Sequence, residues 1–208
     1  MKNSLDTSDE AGFTLAELMI SMLLFLVLSS GVFALIVEME RAAGYQSEVQ
    51  AVLNNSRVAL QTIGRLLRQA GNDPGNSGLA GITIVSPSEL RIRADITGSA
   101  GAGNPDKGDP DGDTVDSGED VTIRYNGVSR SLELVPNGGP VQIVALDISD
   151  VQFDYYDSSG STTSNSADVR RIGVSVSGSA TTPDPRTHQI FGVTLSSEFH
   201  VPNQWAGL

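Results

Sequence analysis

The residues best placed to do chemistry are Gly12, Phe13 and Glu17. Between Phe13 and Val37, Glu17 is the only charged residue. An acidic side chain in hydrocarbon costs roughly 2.5–3.5 kcal/mol on insertion scales, so it needs a partner. Cleavage after the small residue Gly12 would free an α-amino group on Phe13, four residues before Glu17. Positions i and i+4 share a helix face. The new amine and the Glu17 carboxylate would then pair, within one chain or between neighbours. The competing reading is a glutamate that snorkels to the surface at the end of a membrane anchor. The order of parts differs from a secretory signal, whose apolar stretch precedes its cleavage site. Here a polar leader, residues 1–11, precedes Gly12, and the apolar run would stay on the mature chain.

A second grouping offers metal chemistry. Asp109, Asp111 and Asp113 alternate along a turning segment, and Asp116, Glu119 and Asp120 follow. Alternate aspartates converge hard oxygen ligands on Ca²⁺, and Asp120 stands where an EF-type loop closes its ligand set. Thr114 occupies the place where such a loop needs glycine, and no flanking helix pair is expected. Asp109, Asp111, Asp113 and Asp120 are therefore the candidate calcium ligands. The competing reading is a solvated acidic loop. No other cofactor is expected. Catalysis has little support: His188 and His200 lack metal-ligand spacing, and no Gly-x-Ser-x-Gly elbow occurs. Trp205 is a candidate interface anchor or a core residue of the head.

These residues need elements to hold them. Residues 18–37 carry no charge, and a helix of that length spans about 30 Å, the thickness of a bilayer core. Ser29-Ser30-Gly31 interrupts the run, and local bending or melting is expected there on packing into a filament. Beyond Glu38 the pattern turns amphipathic. Val49, Leu53, Leu60, Ile63, Leu67 and Ala70 form an apolar stripe, with Ser56 in one slot. Gly71 followed by Asn72-Asp73-Pro74-Gly75 stops the helix. A coiled coil would show the same stripe, but strands follow it, which favours packing on a sheet.

From Ile82 the period becomes two. Strands are expected at 82–85, 89–94, 121–125, 131–135, 141–146, 151–156, 169–177 and 190–198. Asn126-Gly127 predicts a tight hairpin, because that pair takes positive φ cheaply. Loops at 97–120 and 158–166 interrupt the strands. The expected plan is a leader at 1–12, a helix over 13–70 and a β-rich head over 71–208. This is an α+β lollipop, with a long helix packed on an antiparallel sheet; an independent sandwich is the alternative. The chain has no cysteine, so disulfides play no part. Its net charge of −12 argues against binding nucleic acid, whose phosphates attract Lys and Arg.

Gly12-Phe13-Thr14-Leu15-Ala16-Glu17-Leu18-Met19 resembles the prepilin cleavage and methylation motif of type IV pilin-like proteins. Arg65-Leu66-Leu67-Arg68-Gln69-Ala70-Gly71, residues 141–156 and Val201-Pro202-Asn203 look most like PilW-type minor pilins, with GspJ-type pseudopilins of type II secretion next. Family leaders are usually basic, whereas this one sets Lys2 against Asp6, Asp9 and Glu10. The resemblance implies that a prepilin peptidase cuts after Gly12 and methylates Phe13. It implies that Glu17 guides assembly by meeting a neighbour's terminal amine. It also implies a precursor in the inner membrane with its head in the periplasm, then a place in a pilus among other minor and major pilins. The function implied is assembly initiation in a tip complex. A type II secretion pseudopilin and a calcium-dependent tip adhesin are the alternatives.

Overall fold

The computed structural model describes residues 12–98 and 108–205. The leader before Gly12, residues 99–107 of the acidic loop, the side chains of Gln204 and Trp205, and residues 206–208 lie outside the described residues. The chain divides into two compact units, residues 1–44 and 45–208. One helix, α1 (Leu15–Gln69), contributes to both.

In the first unit α1 is helical without a break, Ser29-Ser30-Gly31 included. Ser21 and Ser30 turn their hydroxyls back onto the carbonyls of Leu18 and Val27, at 2.9 and 2.8 Å. Each hydroxyl is thereby satisfied inside the helix. Among the described residues, the apolar side chains of this segment from Phe13 to Ile36 are exposed. Its most apolar window has a mean hydropathy of 2.6 and is 0% buried.

In the second unit α1 lies against strands. Its buried residues are Val52, Ser56, Ala59, Ile63, Gly64, Leu66 and Leu67. The expected Ser56, Ile63, Leu67 and Ala70 are all buried, but towards the start of the stripe the line of contact shifts to Val52 and Ala59. Val49, Leu53 and Leu60 sit at its margin, half-buried. Small side chains decide this. A Cβ built on Gly178 would come within 2.4 Å of Ser56 Oγ and 2.9 Å of Val52 Cγ1. A Cβ on Gly64 would come within 2.5 Å of the Phe199 ring. Ser56 bonds back to the Val52 carbonyl at 2.9 Å and so enters the core without an orphaned hydroxyl. Gly71 takes φ 72° and ends the helix, two residues past its last helical residue, Gln69.

The strands form two antiparallel sheets. The first has the order β1-β2-β3-β4-β5, with β1 (Ile82–Ser86), β2 (Glu89–Arg93), β3 (Asp120–Asn126), β4 (Ser131–Pro136) and β5 (Gln142–Ala145). The second has the order β6-β7-β8, with β6 (Ile148–Tyr156), β7 (Arg171–Pro183) and β8 (Ile190–His200). Every expected strand exists, but they do not form one sheet. The turn at Asp147 separates the two, and that residue takes φ 59°. Ile148 N donates to the Arg130 carbonyl at 3.0 Å, and Phe153 N donates to the Pro87 carbonyl at 2.8 Å, tying the sheets together. The core they share includes Ile63, Leu67, Ile82, Leu90, Ile123, Leu132, Ile148, Ile172 and Val176.

The β3–β4 hairpin differs from the expected tight turn. Gly127 to Arg130 form the connection, and Asn126 pairs with Ser131. Asn126 Oδ1 accepts from Val128 N at 3.0 Å and Ser129 N at 3.3 Å, so its side chain builds the turn. The positive φ falls on Arg130, at 51°. Its guanidinium explains the strain: it donates to the Ser179 carbonyl, and to Ser179 Oγ at 2.7 Å.

Candidate processing and assembly site

Gly12, Phe13 and Thr14 precede the helix in a non-helical backbone, and the Phe13 side chain is 82% exposed. The helix starts at Leu15 for a local reason. Thr14 Oγ1 accepts from Glu17 N at 3.2 Å, while Glu17 Oε2 accepts from Thr14 N at 3.0 Å and from Thr14 Oγ1 at 2.9 Å. This reciprocal pair is a capping box, which satisfies two amides that the first turn leaves free. The negative charge of Glu17 also faces the positive end of the helix dipole. Glu17 is thus not an idle charge in the uncut chain: its carboxylate already holds an amide one residue from the nitrogen that cleavage would free. Sequence reading missed Thr14, although Thr-x-x-Glu before an apolar run is itself the signal.

The first unit presents a continuous apolar surface behind this site. Phe25, Leu28, Val32, Phe33 and Ile36 are exposed and line a shallow groove with Ser29. An uncovered apolar surface of this extent calls for lipid or another apolar helix.

The acidic loop is arranged differently from the calcium set expected of it. Asp120 lies in β3, 5% exposed, and makes a bidentate pair with Arg91, whose Nε sits 2.7 Å from Asp120 Oδ1. The carboxylate that would close the loop thus takes part in a cross-strand ion pair. Asp111, Asp113 and Asp116 bring ligand atoms within 4.8 Å of one another, and Asp109 stands outside that cluster. Two further carboxylates organise the loop from beneath. Glu119, 1% exposed, accepts from Ile96 N and Thr97 N at 2.8 Å each. Its other oxygen accepts from Asp116 N at 3.2 Å. Asp95 is fully buried and accepts from Asp111 N at 3.1 Å and Gly112 N at 2.9 Å. Charged acceptors on backbone amides hold the described part of the loop together. The two histidines are apart from this loop, at the turn before β8 and at its end, where His200 pairs with Arg171 across the sheet.

A broad comparison bears on the first of these sites. Residues 7–33 match the family model for the prokaryotic N-terminal methylation motif. The match spans Gly12, Phe13, Thr14, Glu17 and the first part of the apolar helix, and it supports a type IV pilin-like protein. Comparisons with curated proteins and with solved structures returned no match. The methylation motif implies processing by a prepilin peptidase and association with other pilins. It fits an inner-membrane anchor, and the proteins that carry it are structural rather than enzymatic.

Proposed function

We propose that the chain is a minor pilin, made as a membrane-anchored precursor, cut after Gly12, methylated on Phe13 and assembled through α1 into a type IV pilus. The observation that carries this reading is the methylation motif over residues 7–33, set at the head of an apolar helix whose most apolar window is 0% buried among the described residues. Before assembly the helix spans the inner membrane, with the head in the periplasm. In the filament, the exposed side chains from Phe13 to Ile36 exchange lipid for neighbouring helices. Glu17 guides that transfer, because a carboxylate in hydrocarbon is drawn to the terminal amine of an adjoining subunit. The task of the head is to join other minor pilins in the complex that starts assembly and remains at the tip.

The test is Glu17→Val in the full-length chain, expressed in cells that lack the wild-type copy. Leader removal should proceed as in wild type, while the chain disappears from sheared surface filaments. Normal incorporation of the variant would refute the role given to Glu17. Absence of the wild-type chain from filaments, with filament number unchanged by its deletion, would refute the pilus reading.

A further inference from the structure

The capping box bears on the step that precedes assembly. We infer that the Thr14 hydroxyl is a positioning residue for leader cleavage, because it fixes where the helix stops and so keeps the Gly12–Phe13 bond outside it. This rests on the proposed processing after Gly12.

A peptidase must bind its substrate backbone in an extended form, and a peptide bond inside a helix has its amide and carbonyl already engaged. Gly12, Phe13 and Thr14 are the last residues before α1, and all three are exposed. The cut would therefore fall two residues before the first helical residue, Leu15. Ala11 and Glu10 on the far side are good helix formers. Little in their composition stops α1 from extending into the leader except Gly12 and the cap. The cap has two arms, joined where the Thr14 hydroxyl donates to Glu17 Oε2 at 2.9 Å. The hydroxyl arm runs from Glu17 N to Thr14 Oγ1 at 3.2 Å and the carboxylate arm from Thr14 N to Glu17 Oε2 at 3.0 Å. They divide the work. The hydroxyl arm sets the helix start and survives any change of the Glu17 side chain. The carboxylate arm can pass to the Phe13 amine once cleavage exposes it. A variant at Glu17 then keeps its cut and loses assembly, whereas a variant at Thr14 loses efficiency at the cut.

The experiment follows leader removal from the full-length chain in membranes containing a prepilin peptidase, under limiting enzyme. Thr14→Val keeps the shape and removes the hydroxyl; Thr14→Ser keeps the hydroxyl and removes the methyl. Loss of a Thr cap corresponds to about a fivefold change in the capped population. Thr14→Val should be cut about fivefold more slowly, and Thr14→Ser should return to the wild-type rate. Amide exchange at Phe13 and Thr14 should slow in Thr14→Val, as the helix grows backward. Equal rates for Thr14→Val and wild type overturn the inference and leave the processing reading intact. Equal slowing in Thr14→Val and Thr14→Ser also overturns it, since the hydroxyl would not be the cause. A wild-type chain that keeps its leader overturns the processing reading, and this inference with it.

Discussion

Gly64→Ala sets two effects of opposite sign against each other, and the structure decides between them. Gly64 lies in the interior of α1, where replacing glycine by alanine favours the helix by about 0.8–1.0 kcal/mol. By propensity alone the variant should be more stable. The contact on the other side is with Phe199, on β8. A Cβ at Gly64 would stand 2.5 Å from Phe199 Cε1, 2.7 Å from Cζ and 3.3 Å from Cδ1. A carbon pair needs about 3.5–4.0 Å, so the ring must retreat by about 1 Å. Overpacking of this kind costs typically 1–3 kcal/mol. The net expectation is a destabilisation of about 1 kcal/mol, or about 2–4 °C in melting temperature for a unit of this size. Phe199 stands on an edge strand and is half-buried, which keeps the overpacking cost below the upper end of that range. The assay is thermal unfolding of the full-length chain in detergent, as a double-mutant cycle with Phe199→Ala. Gly64→Ala should destabilise the wild-type chain and stabilise the Phe199→Ala chain, a reversal of sign. Stabilisation in both backgrounds, or additivity within about 0.5 kcal/mol, would show that helix and strand do not meet as described.

Gly81→Ala should be worse tolerated, because its Cβ would lie 2.3 Å from Gly71 N and 2.4 Å from Gly71 Cα, and backbone cannot swing aside. Loss of more than about 2 kcal/mol in the same unfolding assay is expected. Glu48 gives a pH signature. It accepts from Thr181 N at 2.5 Å, Thr181 Oγ1 at 2.7 Å and Thr182 N at 3.1 Å, and bonds from Thr181 and Thr182 pull its carboxyl down from 4.5 to about 2. A lowered folded-state value means that this contribution is complete above about pH 4.5 and is lost as the pH falls towards 2. Glu48→Gln should flatten that part of the acid-unfolding curve, and an unchanged curve would remove Glu48 from the account.

Much of this molecule was legible in its residues, because the strongest signals are local. The step from a 3.6-residue to a 2-residue period at Gly71–Ile82 marks the end of α1 and the start of the strands. What was not legible depends on contacts distant in sequence. The division into two sheets turns on Asp147 and on the Arg130–Ser179 bonds, which join residues far apart. The stripe is right at Ser56, Ile63, Leu67 and Ala70, which are buried; apolarity alone misses Ala59 and Gly64, which close approach selects, and puts Val49, Leu53 and Leu60 in the line where they sit at its margin. The ion pair of Asp120 with Arg91 was not legible, because the two meet across a strand pair that spacing does not reveal. Thr14 was overlooked for another reason: the motif draws the eye to the glycine, phenylalanine and glutamate, while a capping box was written in the same residues.

The fate of the Gly12–Phe13 bond decides whether this chain can enter a filament as proposed. Mass spectrometry of the amino terminus of the chain, isolated from cells that make its filament, tests this directly. The expected result is a chain that begins at Phe13 with a methyl group on its α-amine. A chain that still begins at Met1, or that has lost residues 13–37 with the leader, would contradict it.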